Sequence, residues 1–255
     1  MKRISFYGKS FILLFLIVIF EGALRKWINP SFGIPLLGAR DLIVIFLLIN
    51  AIRKRYLRFN KIPELIALIW TIVVFIWTSI HIILGLIPVA VGLFVFHFWI
   101  LYLWLALIGY RTLTAYDIEK ILKLLLFSLI PMVILTITQF LSPIDSFINK
   151  QIGSVDGEGV FQVIAGIVRA TGTFSFSIGY TSYLALLAPL IFWFMTSKKL
   201  VKNALLKNII ILLYFIGILV SGSRAAILFG IIMFIPYILS LFLSSKFKKI
   251  KIRTV

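Results

Sequence analysis

The tetrapeptide Ser221-Gly222-Ser223-Arg224 joins two long apolar runs and sets a guanidinium beside small, hydroxyl-bearing residues. A helix is expected from Ala225 onward, so its N-terminal dipole points at the same spot. Hydroxyls, backbone N–H groups and an arginine together suit a phosphate, and a plain interfacial turn is the alternative. A second arginine, Arg169, precedes Ala170-Thr171-Gly172-Thr173-Phe174-Ser175-Phe176-Ser177, a glycine, hydroxyl and aromatic string that leads into another apolar run. Arginine binds phosphate oxygens in a bidentate fork that lysine cannot make. Phe174, Phe176 and Tyr180 are placed either to stack on sugar faces or to form an interfacial aromatic belt.

Charge also lies within apolar surroundings nearer the N-terminus. Glu21 and Arg25 are spaced i,i+4 in the favourable order, with the acid first. Arg40 and Asp41 are adjacent. Glu21 follows Lys9 by twelve residues and Asp41 precedes Arg53 by twelve. Each carboxylate is therefore expected roughly 18 Å along a helix from a basic anchor. A hydrocarbon core about 30 Å thick would enclose both. Such charges face a polar cavity or one another. Two structural pairs, Glu21–Arg25 and Arg40–Asp41, stand as one alternative, and a cavity for a charged substrate as the other. In the second, Glu21 and Asp41 are the carboxylates available as a base, though their arginine neighbours keep them weakly basic. His81 and His97 sit among apolar residues and read as hydrogen-bonded structural groups.

The elements that must hold these residues follow from composition. Of 255 residues, 62% are hydrophobic and 13% charged, more apolar side chain than a soluble domain can cover. The apolar residues come in long runs, which lipid stabilises. Eight spans are expected, at roughly 10–28, 34–52, 62–80, 85–110, 120–141, 179–197, 208–222 and 225–244, with a turn over His81 to Pro88. The first has basic residues before it but carries Glu21 where a small-residue cleavage site belongs, so it reads as an uncleaved span. The fold class is thus a polytopic all-α transmembrane bundle, a single domain over 1–255.

Twenty of the 26 lysines and arginines fall on one side of this alternation and six on the other. The richer side is cytoplasmic, which puts both termini inside. The basic run Lys246 to Arg253 then anchors the C-terminus at anionic lipid. The longest outer loop, about 142–178, mixes glycine, charge and apolar residues, and within it Phe161 to Val168 suits a short interfacial helix. No internal repeat is visible, which argues against an inverted-repeat transporter. The net charge of +18 is distributed in clusters flanking apolar runs, not on a nucleic-acid-binding face. With no cysteine and two histidines, thiolate and histidine-rich metal centres are excluded. No phosphate-binding glycine fingerprint or hydrolase serine motif lies in a strand–turn–helix context.

Arg169-x-x-Gly172-Thr173-Phe174 opening a span, with Ser221-Gly222-Ser223-Arg224-Ala225 two spans later, resembles the bacterial O-antigen ligase and polysaccharide polymerase superfamily. Glu21-Gly22-Ala23-Leu24-Arg25-Lys26-Trp27 with Gly38-Ala39-Arg40-Asp41 is similar to one branch of it. The resemblance touches most of the chain from 21 to 230. It implies an inner-membrane glycosyltransferase acting on polyprenyl-diphosphate-linked glycans at the periplasmic face, without cofactor or metal. An acceptor hydroxyl attacks the anomeric carbon and the lipid diphosphate leaves. By position, Arg169 and Arg224, with Ser221 and Ser223, would hold that diphosphate. Arg25, Arg40, Thr171, Gly172 and Thr173 would form the surrounding polar cluster. Other polysaccharide-assembly proteins and membrane lipids are the expected partners.

Members of that family continue through a second large periplasmic loop bearing an important histidine, whereas this sequence stops eleven residues after the eighth expected span. A fragment, half of a split enzyme and an inactive relative remain open. So do two other function classes: a transporter or flippase of lipid-linked glycans, and a non-catalytic scaffold of polysaccharide assembly. The nearly pure apolar inner halves of the spans argue against a transport path.

Overall fold

Among the described residues each long apolar run lies in a helix. A computed structural model of the protein describes residues 3–150, 163–164, 167–196, 203–232, 235 and 239. Its helices are α1 (Phe6–Ala23), α2 (Gly33–Arg53), α3 (Ile62–Ile83), α4 (Val89–Phe96), α5 (Tyr102–Thr112), α6 (Ala115–Leu141), α7 (Ser177–Thr196) and α8 (Ala204–Val220). A further helical stretch covers 224–232. Among the described residues four stretches are long and apolar enough to cross a bilayer: Pro30–Arg53, Ile62–Ile83, Val89–Thr112 and Ala115–Leu141. They mark a membrane protein. The rest of the eighth expected span, the tail Lys246 to Arg253 and residues 197–202 lie outside the described residues.

Local chemistry sets the helix ends. Pro63 occupies the first turn of α3, where its missing N–H costs nothing. Thr114 and Asp117 cap α6 reciprocally: Asp117 N donates to Thr114 Oγ1 at 3.2 Å, and Thr114 N to Asp117 Oδ2 at 3.0 Å. The Asn203 side chain accepts from Leu205 N and Leu206 N at the start of α8. Of the expected turn over His81 to Pro88, His81 to Ile83 extend α3 by its last turn and the connection runs over 84–88. His81 Nδ1 bonds its own helix at Trp77 O, and the chain reverses at Gly85, whose φ is +68°.

Two helical stretches contain π turns, in which one extra residue widens the coil. Leu24–Ile28 continues α1, closing with Asn29 N donating to Leu24 O, five residues back. His97–Leu101 sits between α4 and α5 in an otherwise unbroken helix.

The chain divides into two compact units. The first comprises Met1–Val18 with Gly33–Ile121. It buries Val44, Leu47 and Ala51 of α2, at helical spacing, and Trp104 and Ile108 of α5. Trp104 Nε1 donates to Thr71 Oγ1 at 3.0 Å. The buried Glu64 carboxylate receives two bonds from Arg111, at 2.6 and 3.0 Å. The second unit comprises Ile19–Phe32 with Leu122–Val255. Its interior collects Leu125, Leu129 and Val133 of α6, Leu184 and Leu187 of α7, and Ile210 and Ile218 of α8. Buried tyrosines find partners there. Tyr183 Oη bonds Ser128 Oγ at 2.8 Å, and Tyr214 Oη donates to Leu184 O at 3.3 Å.

The expected helix over Phe161 to Val168 is not formed. Val163–Ile164 and Ile167–Val168 instead pair as a two-stranded antiparallel ladder, Val163 opposite Val168 and Ile164 opposite Ile167. Four β-branched residues favour extended backbone over a helix.

Candidate functional site

The second unit holds most of the residues singled out by sequence. Glu21, near the end of α1, lies 3.6 Å from Arg25 in the π turn, so the expected i,i+4 pair forms. Arg25 Nε remains buried with no hydrogen-bond partner among the described residues. The widened turn sends the next residue, Lys26, inward, where only 1% of it is exposed. Lys26 Nζ donates to Thr171 Oγ1 at 2.9 Å and to Gly172 O at 2.5 Å, and stands 4.7 Å from the Trp27 ring centre. Among the described residues no carboxylate is paired with it.

Gln139, in the last turn of α6, grips the same loop. Its Oε1 accepts from Thr171 N at 3.1 Å and Gly172 N at 2.7 Å, and its Nε2 donates to Gly172 O and Ile148 O. Asn149 Nδ2 in turn donates to Gln139 O, Ser142 O and Pro143 O. Gly172 takes φ +58°, a conformation that favours glycine. Thr173 Oγ1 donates to Ile19 O, and backbone of Thr173 to Ser175 runs so close to Gly22 that no Cβ fits there. Thr171, Gly172 and Thr173 are therefore buried structural groups, fully engaged in holding their own loop. Their place in the expected polar cluster is that of the loop that carries Arg169.

That anchored loop fixes Arg169, two residues before Thr171 and so within about 7 Å of it along the chain. A Cβ built on Gly222 would stand 3.4 Å from Arg169 Cγ, so the arginine stem lies against the Ser221–Arg224 turn. The two sequence motifs thus meet. Arg169 is half-buried, and its Nε is buried with no hydrogen-bond partner among the described residues. Gly222 is exposed with φ +58°, and Arg224 is exposed.

The two serines behave differently from expectation. Ser221 is buried, and its Oγ donates to Ile218 O at 2.6 Å and accepts from Ser223 N at 3.2 Å. Ser223 is buried too, and its Oγ accepts from Ala226 N at 3.4 Å as a helix cap. These hydroxyls shape the turn and are not presented beside the guanidinium.

Arg40 and Asp41 belong to the first unit, on α2. The partner found for Asp41 among the described residues is His97: Asp41 Oδ1 is 2.6 Å from His97 Nδ1, the two residues being 56 apart in sequence. Among the described residues no cluster of three or more metal-ligating side chains occurs. Sequence reading missed Lys26, Gln139 and the Asp41–His97 pair as organising residues. The signal that could have found Lys26 is its place inside a motif, beside Arg25, at the end of an apolar run.

No family model, curated protein or solved structure matches the chain.

Proposed function

We propose that the protein is a membrane glycosyltransferase of the O-antigen ligase and polymerase type, polymerising or ligating polyprenyl-diphosphate-linked glycan units at the periplasmic face of a bacterial inner membrane. Eight spans with both termini cytoplasmic belong to this reading, supported by the lysine and arginine asymmetry between its two sides. What carries it is the seat of Arg169 against Gly222, which joins two arginine-bearing motifs whose contacting residues are 53 apart in sequence.

In this reaction a hydroxyl oxygen of the acceptor forms a bond to the anomeric carbon. The bond from that carbon to the diphosphate oxygen breaks, and the lipid diphosphate departs with the electron pair. Arg169 and Arg224 balance the charge that grows on the leaving oxygens. Arg169 Nε has no hydrogen-bond partner among the described residues, which suits its N–H to donate to a phosphate oxygen. Lys26, Gln139 and Asn149 keep Arg169 in place by fixing the loop behind it. Exposed Gly222 lets a bulky anion approach backbone closely.

The test is chain extension. The protein is expressed in a host lacking its own polymerase and supplied with a matching lipid-linked repeat unit. A glycan ladder is expected. Arg169→Ala and Arg224→Ala are expected to remove the ladder at unchanged membrane abundance, with Arg169→Lys retaining part of it. Loss of abundance instead would make the arginines structural. No ladder from stably inserted protein with matched substrate would sink the enzymatic reading.

A further inference from the structure

The first unit contains a polar pair that the reaction above does not use. Asp41 projects from α2, and His97 is the first residue of the π turn between α4 and α5. Their 2.6 Å contact links Asp41 Oδ1 to His97 Nδ1. His97 is 4% exposed and Asp41 26%. The imidazole packs edge-on against Phe98, at 4.8 Å between ring centres, and against Tyr102, at 5.0 Å. The imidazole is thus buried among aromatic rings, while the carboxylate is partly exposed.

The chemistry of the pair fixes its protons. An ionised carboxylate only accepts, so the bond to Asp41 puts the proton on Nδ1. In the neutral ring Nε2 then carries the lone pair. It is buried with no hydrogen-bond partner among the described residues. A buried acceptor left unsatisfied is costly, and such atoms in native folds mark a bound water, a ligand or a catalytic role. The π turn is a second pointer, since these insertions concentrate at functional positions. A metal ion is a poor match, because no third ligating side chain gathers here among the described residues.

We propose that Asp41 and His97 form a hydroxyl-binding site in the first unit, in which Nε2 accepts a hydrogen bond from the O–H group of a sugar or of a water molecule. Its ligand is neutral and its geometry is the reverse of the arginine seat: a lone pair offered to a donor, not N–H groups offered to an anion. The Asp41 carboxylate strengthens Nε2 as an acceptor by drawing on the Nδ1 proton. The inference stands without the diphosphate reading, since every group in it belongs to one unit.

The experiment is nitrogen NMR on full-length His81→Gln protein, labelled at histidine and held in lipid nanodiscs, so that His97 gives the sole imidazole signals. Nδ1 is expected to be protonated and Nε2 bare, with Nε2 shifted upfield by an accepted hydrogen bond. Addition of N-acetylglucosamine separates the sources. A further upfield movement assigns the site to a sugar hydroxyl. No movement, together with a solvent isotope shift in deuterium oxide, assigns it to water. A protonated Nε2, or a bare Nε2 with no hydrogen-bond shift under any condition, overturns the proposal. Asp41→Asn is expected to move the proton to Nε2, because the amide can donate to Nδ1, and to abolish the response. The tautomer is read on the native pair, so the result does not depend on that variant folding.

Discussion

Lys26 Nζ donates to Gly172 O across 146 residues of sequence, and the same ammonium holds Thr171 Oγ1. One side chain from the N-terminal π turn therefore closes the loop that carries Arg169. Lys26→Met keeps the length and removes the donor. It is expected to lower stability by about 1–3 kcal/mol, the cost of a buried acceptor left without its bond. Thermal unfolding of purified protein in detergent measures this. An unchanged midpoint would mean that Gln139 alone suffices to hold the loop.

Two glycines, one in each unit, should respond in opposite ways. At Gly22 a Cβ would fall 2.3 Å from Thr173 O and 2.4 Å from Ser175 N, both backbone atoms with nowhere to go. Gly22→Ala is expected to push the 173–175 segment away and cost about 1–3 kcal/mol or more. At Gly38 nothing lies within 4 Å. Gly38→Ala should be stabilising by roughly 0.5–1 kcal/mol, through helix propensity alone. Unfolding midpoints of the two variants, measured side by side, check both signs.

Gly172→Ala meets two obstacles at once. The residue holds φ +58°, and its Cβ would stand 2.5 Å from Met132 Sδ. A loss of about 1–3 kcal/mol is expected for the strained backbone and contact together. Met132 is flexible, so Gly172→Ala with Met132→Ala should remove the contact and leave the backbone strain. A double-mutant cycle separates the parts, and full additivity would refute the contact.

The Glu64–Arg111 pair is built of a carboxylate with no exposure and a guanidinium with 28%. Arg111→Ala leaves the carboxylate buried and alone, and is expected to cost about 3–5 kcal/mol. Replacing both with leucine should recover most of that, since neither charge then remains in the apolar interior. Detergent-solubilised yield and unfolding midpoint report the order: native, double leucine, then the single alanine.

The helices were legible because lipid-facing segments must be apolar throughout, and runs such as Ile62–Ile83 and Ala115–Leu141 show this without any partner. The meeting of Arg169 with Gly222 was legible only as an order of motifs. Its geometry depends on Lys26 and Gln139, whose roles are set by contacts more than 30 residues away. The role of Lys26 was not legible because residue type alone cannot tell a snorkelling lysine from one turned inward by a π turn. The serines of the 221–224 turn misled for a related reason. Hydroxyl residues beside a helix start serve equally as ligands and as caps, and here the helix takes them. Asp41 meets His97, 56 residues away, a contact that spacing within one helix cannot show.

The π turn at His97–Leu101 also changes how the span Val89–Thr112 must be scanned. An added residue shifts the angular phase of everything beyond it, so one helical wheel cannot describe both halves. Residues 89–96 and 102–112 keep separate frames, each periodic within itself and out of step with the other. Substitution scans of this span should therefore yield two sensitivity patterns with a break between them. Deleting one residue inside 97–101 would bring the frames back into step and turn every buried position on one side of the cut toward lipid.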